Sequence, residues 1–197
     1  MRPVWPVLGA LALGSSACAH PFLAANFATV YQPRTHVVAL APLANLTTDP
    51  EGAKAGAAIR EAIYFELTRR QDQYTVTIQD IARTDKLVHD AGLTDSAAAR
   101  LPGPDLARIL QVDAVMRGSV TRFHKSGAGG QVVTALLFGF AKGSEVKADV
   151  AIYDGTDGQM IWQHNIDKAG GFLSSPDALR NKVGGAVAKK FPYRRGG

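Results

Sequence analysis

The chain has 197 residues, of which 46% are hydrophobic and 20% are charged, and its formal net charge is +5. This composition is ordinary for a globular protein and does not indicate disorder. The positive charge is small and scattered, so we expect no nucleic-acid partner. Cys18 is the single cysteine, and a fold within this chain therefore depends on its core and not on a disulfide.

The first residues have the features of a secretion signal. Met1-Arg2 supplies a positive start, Val4–Leu13 an apolar core, and Gly14–Ala17 a run of small residues that ends at Cys18. We therefore predict a lipoprotein-type signal peptide over residues 1–17, with cleavage before Cys18 and attachment of lipid to its thiol. The apolar core is well short of the ~20 residues that a membrane-spanning helix needs.

Two features of this region leave another cleavage site open. Lipoprotein signals usually have leucine three residues before the cysteine, where this chain has Ser15. Ala17-Cys18-Ala19 also forms an A-x-A site, and cleavage there would release a secreted soluble chain that begins at His20. Ala19 is not the aspartate that in many bacteria retains lipoproteins in the inner membrane. We therefore expect lipid anchoring to the outer membrane, on the periplasmic side.

Residues 18–35 contain two prolines and show no sustained period, which predicts a tether of at most ~60 Å between the lipidated cysteine and the body of the protein. We expect one domain over residues 36–193. Its first strand, His36–Ala41, is apolar without alternation, as in strands that are buried on both faces.

The later elements follow from periodicity, caps and turn residues. They are helices over Ala53–Arg70, Asp80–His89 and Gly103–Val112, strands over Tyr74–Ile78, Ala114–Phe123, Ser144–Tyr153 and Gln159–Asn165, and a last helix opened by Ser175 and Pro176. Early βα units followed by a β-meander predict an α/β (mixed α+β) fold, in which a mixed sheet of about five or six strands has helices packed on it.

The last two strands flank a sequence that is typical of a β-hairpin turn. Glycine provides positive φ angles there, and aspartate side chains bind nearby backbone N–H groups. We therefore assign a structural role in the turn to Asp154, Gly155, Asp157 and Gly158.

The segment Gln131–Ala141 is apolar almost throughout. We predict a buried strand or short helix here. The alternative is an exposed element that contacts a membrane or a protein partner. Its contact residues would be Leu136, Leu137, Phe138 and Phe140.

The residue types that perform catalysis or bind metals form no recognisable motif. The histidines lack paired metal-ligand spacing; they are His20, His36, His89, His124 and His164. Gly127–Gly130 lacks the flanking strand and helix of a phosphate-binding loop. Asp154 and Asp157 lack the longer ligand series of an EF-type calcium site. We therefore expect no catalytic residue, no metal and no cofactor.

Several segments together resemble a family of bacterial envelope lipoproteins. They are a strand that runs into Pro-x-x-Asn (Val37 to Asn45), a strand after Tyr74, and the segments Leu110–Val120 and Ile152–Trp162. They are similar to the group around CsgG, the curli secretion lipoprotein, which includes the cell-wall synthase activator LpoB and the N-terminal domain of TolB. The resemblance covers about residues 36–190. It implies an accessory or scaffold lipoprotein that binds an envelope protein in assembly or secretion.

The departures from this family narrow the function. A CsgG-type channel builds its barrel from two long hairpins per subunit, whereas Gln131–Ala141 is the single candidate insertion, so we expect no pore. The tether is short compared with that of activators that reach through the cell wall. The alternatives are a homo-oligomeric subunit of an export complex and a soluble secreted protein or unrecognised hydrolase.

Overall fold

The computed structural model describes residues 20–48, 54–124, 145–169 and 176–196. The strands are β1 (Phe22–Leu23), β2 (Val37–Leu40), β3 (Ala44–Asn45), β4 (Thr77–Ile78), β5 (Ala114–His124), β6 (Glu145–Asp154) and β7 (Met160–Ala169). The α-helices in these ranges are α1 (Gln32–Arg34), α2 (Ala55–Thr68), α3 (Ile81–Asp90), α4 (Asp95–Ala98), α5 (Gly103–Leu110) and α6 (Pro176–Lys190).

The strands form one mixed sheet in the order β1-β7-β6-β5-β2-β4, and β3 pairs separately with β5. Strand β2 is parallel to both β4 and β5, whereas β5, β6, β7 and β1 are antiparallel in succession. This arrangement confirms the predicted mixed α+β domain. The early parallel pairs come from the βα units, and the later antiparallel pairs come from the meander.

The chain continues to pair with β5 after strand β2 ends. Pro42 lacks a backbone N–H and interrupts the ladder, but Leu46 N donates to the Val120 carbonyl at 2.8 Å. Strand β3 is therefore a continuation of β2 after a break. Asn45 pairs with Val120 in this short strand, although the turn-forming composition from Asn45 onward is typical of a loop.

Helices cover the sheet on both faces. Helices α2 and α6 pack on the larger apolar side, where Ile59, Ile63, Val183 and Val187 are fully buried. The two helices approach each other closely at Gly184, where a Cβ would collide with the Ala62 carbonyl oxygen. Helices α3, α4 and α5 contribute to a smaller cluster on the other side of the sheet, around β2 and the beginning of β5.

Residues 22–34 are part of the domain, which corrects the expected tether over residues 18–35. We call this segment the N-terminal arm. Strand β1 pairs with β7, and Phe27 and Tyr31 are only 6% and 5% exposed. These two side chains lie four residues apart on one helical face, a signal too short to register as a sustained period.

The arm is also joined to the C-terminal segment of the domain. The Phe27 ring packs edge-on against Tyr193 at 5.1 Å between centroids. The Tyr193 hydroxyl donates to Thr35 Oγ1 at 3.1 Å, and burial raises the pKa of Tyr193 to about 12. The fold therefore begins near Phe22 and not at His36.

Candidate functional site

One part of the sheet surface carries mainly polar side chains. Helices α3 and α5 pack near the beginning of β5, and beyond Val115 the described helices leave this side of the sheet accessible. Because side chains alternate along a strand, every second residue of β5, β6 and β7 points to this surface, which we call the open face. Its main residues are Arg117, Ser119, Lys147, Asp149, Tyr153 and Asn165.

The open face contains two adjoining shallow cavities of about 620 and 550 Å³. Asp149 lines both of them, and we call the two cavities together the trough. The beginning of α5 and the turn at Asp157 and Gly158 border the first cavity, and Asn165 and Asp167 border the second. A shallow, open trough is suited to an extended or flat partner more than to an enclosed small molecule.

Arg117 anchors one end of the trough. Its guanidinium donates to the backbone carbonyls of Ala99 and Leu101 and lies 5.6 Å from the centre of the Tyr153 ring. The loop before α5 is thereby attached to the sheet. The Tyr153 ring is held in place as a flat aromatic surface beside the trough.

The centre of the trough is a matched polar pair. The Ser119 hydroxyl donates to Asp149 Oδ1 at 2.6 Å across β5 and β6. The second carboxylate oxygen of Asp149 is an additional hydrogen-bond acceptor in the trough. A ligand that presents N–H or O–H donors would complement it.

Alternating charges occupy the other end. Lys147 lies 3.2 Å from Glu145 and 3.0 Å from Asp167, and Arg122 lies 3.1 Å from Glu145. Hydrogen bonding to Asp167 raises the pKa of Lys147, and the hydrogen bond from Arg122 lowers the pKa of Glu145. These pairs are solvent-accessible and contribute little to stability, so they are available to rearrange around a partner.

The residues assigned to the hairpin turn lie between β6 and β7. Asp154 Oδ1 accepts hydrogen bonds from Thr156 N and Asp157 N at 2.8 and 3.0 Å, and Asp157 Oδ1 accepts one from Gln159 N at 2.9 Å. Gly158 has a φ of +73°. Gly155 does not have the positive φ that we expected; instead its N–H donates to the Asp113 carbonyl at 2.7 Å.

The other predicted sites lie outside the described residues and stay predictions. They are the lipidation site Cys18 and the contact residues Leu136, Leu137, Phe138 and Phe140. Within the described ranges, no group of three or more His, Cys, Asp or Glu side chains is arranged to hold a metal ion. No helix in those ranges has both the length and the apolar character to cross a membrane.

Sequence analysis did not identify the open face, although the pattern was present. Along β6, Lys147, Asp149 and Tyr153 alternate with residues that are buried in the larger apolar cluster. This two-residue period predicted a strand, but it did not show that helices leave its polar side accessible. That information depends on where α3, α4 and α5 pack.

Comparison with solved structures shows which proteins have a fold similar to that of this chain. Lipoprotein GNA1162 from Neisseria meningitidis aligns with a TM-score of 0.57 and 16% identity, over 78% of this chain and 96% of that chain. The PelC dodecamer from Paraburkholderia phytofirmans gives a TM-score of 0.50 and 16% identity, over 79% of this chain and 88% of that chain. This chain has the fold of GNA1162 and PelC.

The likeness extends no further than the fold at these identities. The LpoB C-terminal domain from Salmonella enterica gives a TM-score of 0.45 and 13% identity, over 70% of this chain and 84% of that chain, which is too distant to carry an argument. A comparison with models of known families gives no match, and a comparison with curated proteins gives none either. The resemblance to CsgG itself stays an expectation from the sequence.

Proposed function

We propose that this protein is a lipid-anchored accessory or scaffold lipoprotein of the bacterial envelope, which faces the periplasm and acts by binding. Acylated Cys18 would hold it to the outer membrane, and the open face would bind an envelope protein. The observation that carries this proposal is the trough of two shallow cavities that share Asp149 on the open face.

The fold and the N-terminal sequence support the proposal in different ways. The likeness to lipoprotein GNA1162 supports a fold that occurs in lipoproteins. The positive start, apolar core and small residues before Cys18 support the anchor. The trough supports binding, because its polar groups are spread along three strands and do not converge on one point.

A second candidate is a homo-oligomeric subunit of an export complex. The observation that favours it is the fold shared with PelC, which is described as a dodecamer. In this case the partner on the open face would be another copy of the chain.

Site-specific crosslinking tests the open face directly. A photoreactive amino acid replaces Asn165, which is exposed in the trough, and in a matched variant it replaces Glu61, which is exposed on α2. After irradiation of intact cells, we expect one discrete adduct from position 165 and none from position 61. An adduct with twice the mass of the chain favours the oligomer. The absence of an adduct at position 165 contradicts binding through this face.

A further inference from the structure

Exposed apolar side chains are concentrated on the N-terminal arm. In the part of the chain that the structure describes, five large hydrophobic side chains are exposed. Three of them belong to the arm: Phe22 and Leu23 are each 47% exposed, and Val30 is 38% exposed. Scattered single apolar residues need no explanation, but Phe22 and Leu23 are consecutive on the edge strand β1 and point to opposite sides of it, so both sides of this edge are apolar.

The arm is held in place by its backbone. Phe22 lies opposite Gln163 and Leu23 opposite Trp162 in the antiparallel pairing with β7. Ala24 N also donates to the Ile161 carbonyl at 2.9 Å. Since β1 pairs with β7 at the end of the sheet order, Phe22 and Leu23 lie at an outer edge of the domain. Their exposure therefore follows from the fold and not from a loose terminus.

The distance along the chain from Cys18 to this edge is short. Three residues separate Cys18 from Phe22, and four extended steps span at most ~14 Å. A lipid on Cys18 lies at the bilayer surface, so the outer edge of the sheet would be within that distance of the headgroups. The tether expected up to residue 35 would have allowed the domain to move much farther away.

We propose that Phe22, Leu23 and Val30 rest in the interface of the bilayer that anchors Cys18. This inference rests on the lipid anchor of the proposed function. Apolar side chains in the interface add buried apolar area to the attachment that a lipid on Cys18 would provide. Because only three residues separate Cys18 from Phe22, the bilayer that holds the lipid is the surface nearest to the arm.

The single native cysteine makes the test specific. If lipid occupies Cys18, then Leu23→Cys introduces the only reactive thiol, and Phe65→Cys on α2 is the matched control because Phe65 is 60% exposed. The acylated full-length variants are labelled with an environment-sensitive dye. They are then reconstituted into phosphatidylethanolamine and phosphatidylglycerol vesicles that contain a lipid-borne quencher. We expect quenching at position 23 to exceed that at position 65 by at least about twofold.

The possible outcomes separate this inference from the anchor itself. Equal quenching at the two positions in acylated protein contradicts interfacial docking and leaves the anchor intact. Absence of lipid on Cys18 overturns both. A dye at position 23 that is already shielded in detergent, in a particle of two chains, shows that a second copy covers the arm and overturns the docking. If Leu23→Cys does not fold by circular dichroism, Val30→Cys replaces it with the same expectation.

Discussion

Gly158 shows how a single residue determines the hairpin turn. Its φ of +73° lies in the left-handed region, where a β-branched side chain is strained. A Cβ at this position would also lie 3.1 Å from Pro104 of α5. The same residue therefore shapes the turn and allows α5 to approach it.

Gly158→Val should lower the free energy of unfolding by about 1–3 kcal/mol, because valine is strained at this φ. Urea denaturation of the purified protein measures the change. Gly158→Asn is the matched control. Because asparagine tolerates the left-handed region, this variant should lose less free energy of unfolding than the valine variant. An unchanged denaturation midpoint for the valine variant would mean that the turn adopts another conformation.

His164 is a buried titratable side chain that should make the stability of the protein depend on pH. It is 9% exposed, and its Nδ1 has no hydrogen-bond partner among the described residues. Burial lowers the pKa of His164 below its ordinary value of 6.5, and Lys168 and Lys190 lower it further. The folded state therefore favours the neutral imidazole.

Stability should fall as the pH decreases below about 6.5, because the unfolded chain then binds a proton that folded His164 resists. The stabilisation is fully present above that pH. Denaturation at pH 7.5 and 5.5 measures the loss of stability between these two pH values, and this loss should be smaller in His164→Leu. Equal pH dependence in the two proteins would show that another group is responsible.

The N-terminal arm is the element whose role the sequence pattern concealed. Its end is attached to the hairpin turn by Arg34, which lies 2.8 Å from Asp154 Oδ1 and 2.7 Å from Asp157 Oδ2. Asp154 is only 2% exposed on its side chain, so Arg34 compensates a buried carboxylate. These residues are 120 positions apart, and no local period reveals such a contact.

Arg34→Ala should destabilise the attachment of the arm by about 1–2 kcal/mol, since Asp154 loses a charged hydrogen-bond donor. Hydrogen exchange at the Ala24 amide, which pairs with Ile161, reports the opening of the arm. Arg34→Lys keeps the charge but not the bidentate geometry of the guanidinium. Its exchange rate at Ala24 should therefore lie between those of the wild-type protein and the alanine variant. Unchanged exchange at Ala24 in the alanine variant would contradict this role.

Elements with a strong local pattern could be predicted, and those without one could not. Strand β2 was evident because Val38, Ala39 and Leu40 are consecutive apolar residues, and all three are buried. The cap of α3 was evident from Asp80, whose side chain accepts from Arg83 N. The two-residue strands β1 and β3 carry no period of their own and exist because long strands beside them accept their hydrogen bonds.

For the whole molecule, the arm changes the relation between anchor and domain. A tether up to residue 35 would separate the lipid from the binding surface, whereas pairing from Phe22 leaves three residues between Cys18 and the sheet. The domain would then sit directly on the membrane with its open face available to partners there. The alternating polar residues of β6 implied such a face, but the placement of α3, α4 and α5 determined that the described residues leave it accessible.

Mass spectrometry of the N-terminal peptide of the mature protein tests whether it begins at an acylated Cys18, as we propose. We expect a peptide that begins at Cys18 and carries the mass of a lipid on its thiol, together with complete loss of that species in Cys18→Ala. An unmodified N-terminal peptide that begins at His20 would contradict the claim and show that cleavage occurs at the A-x-A site.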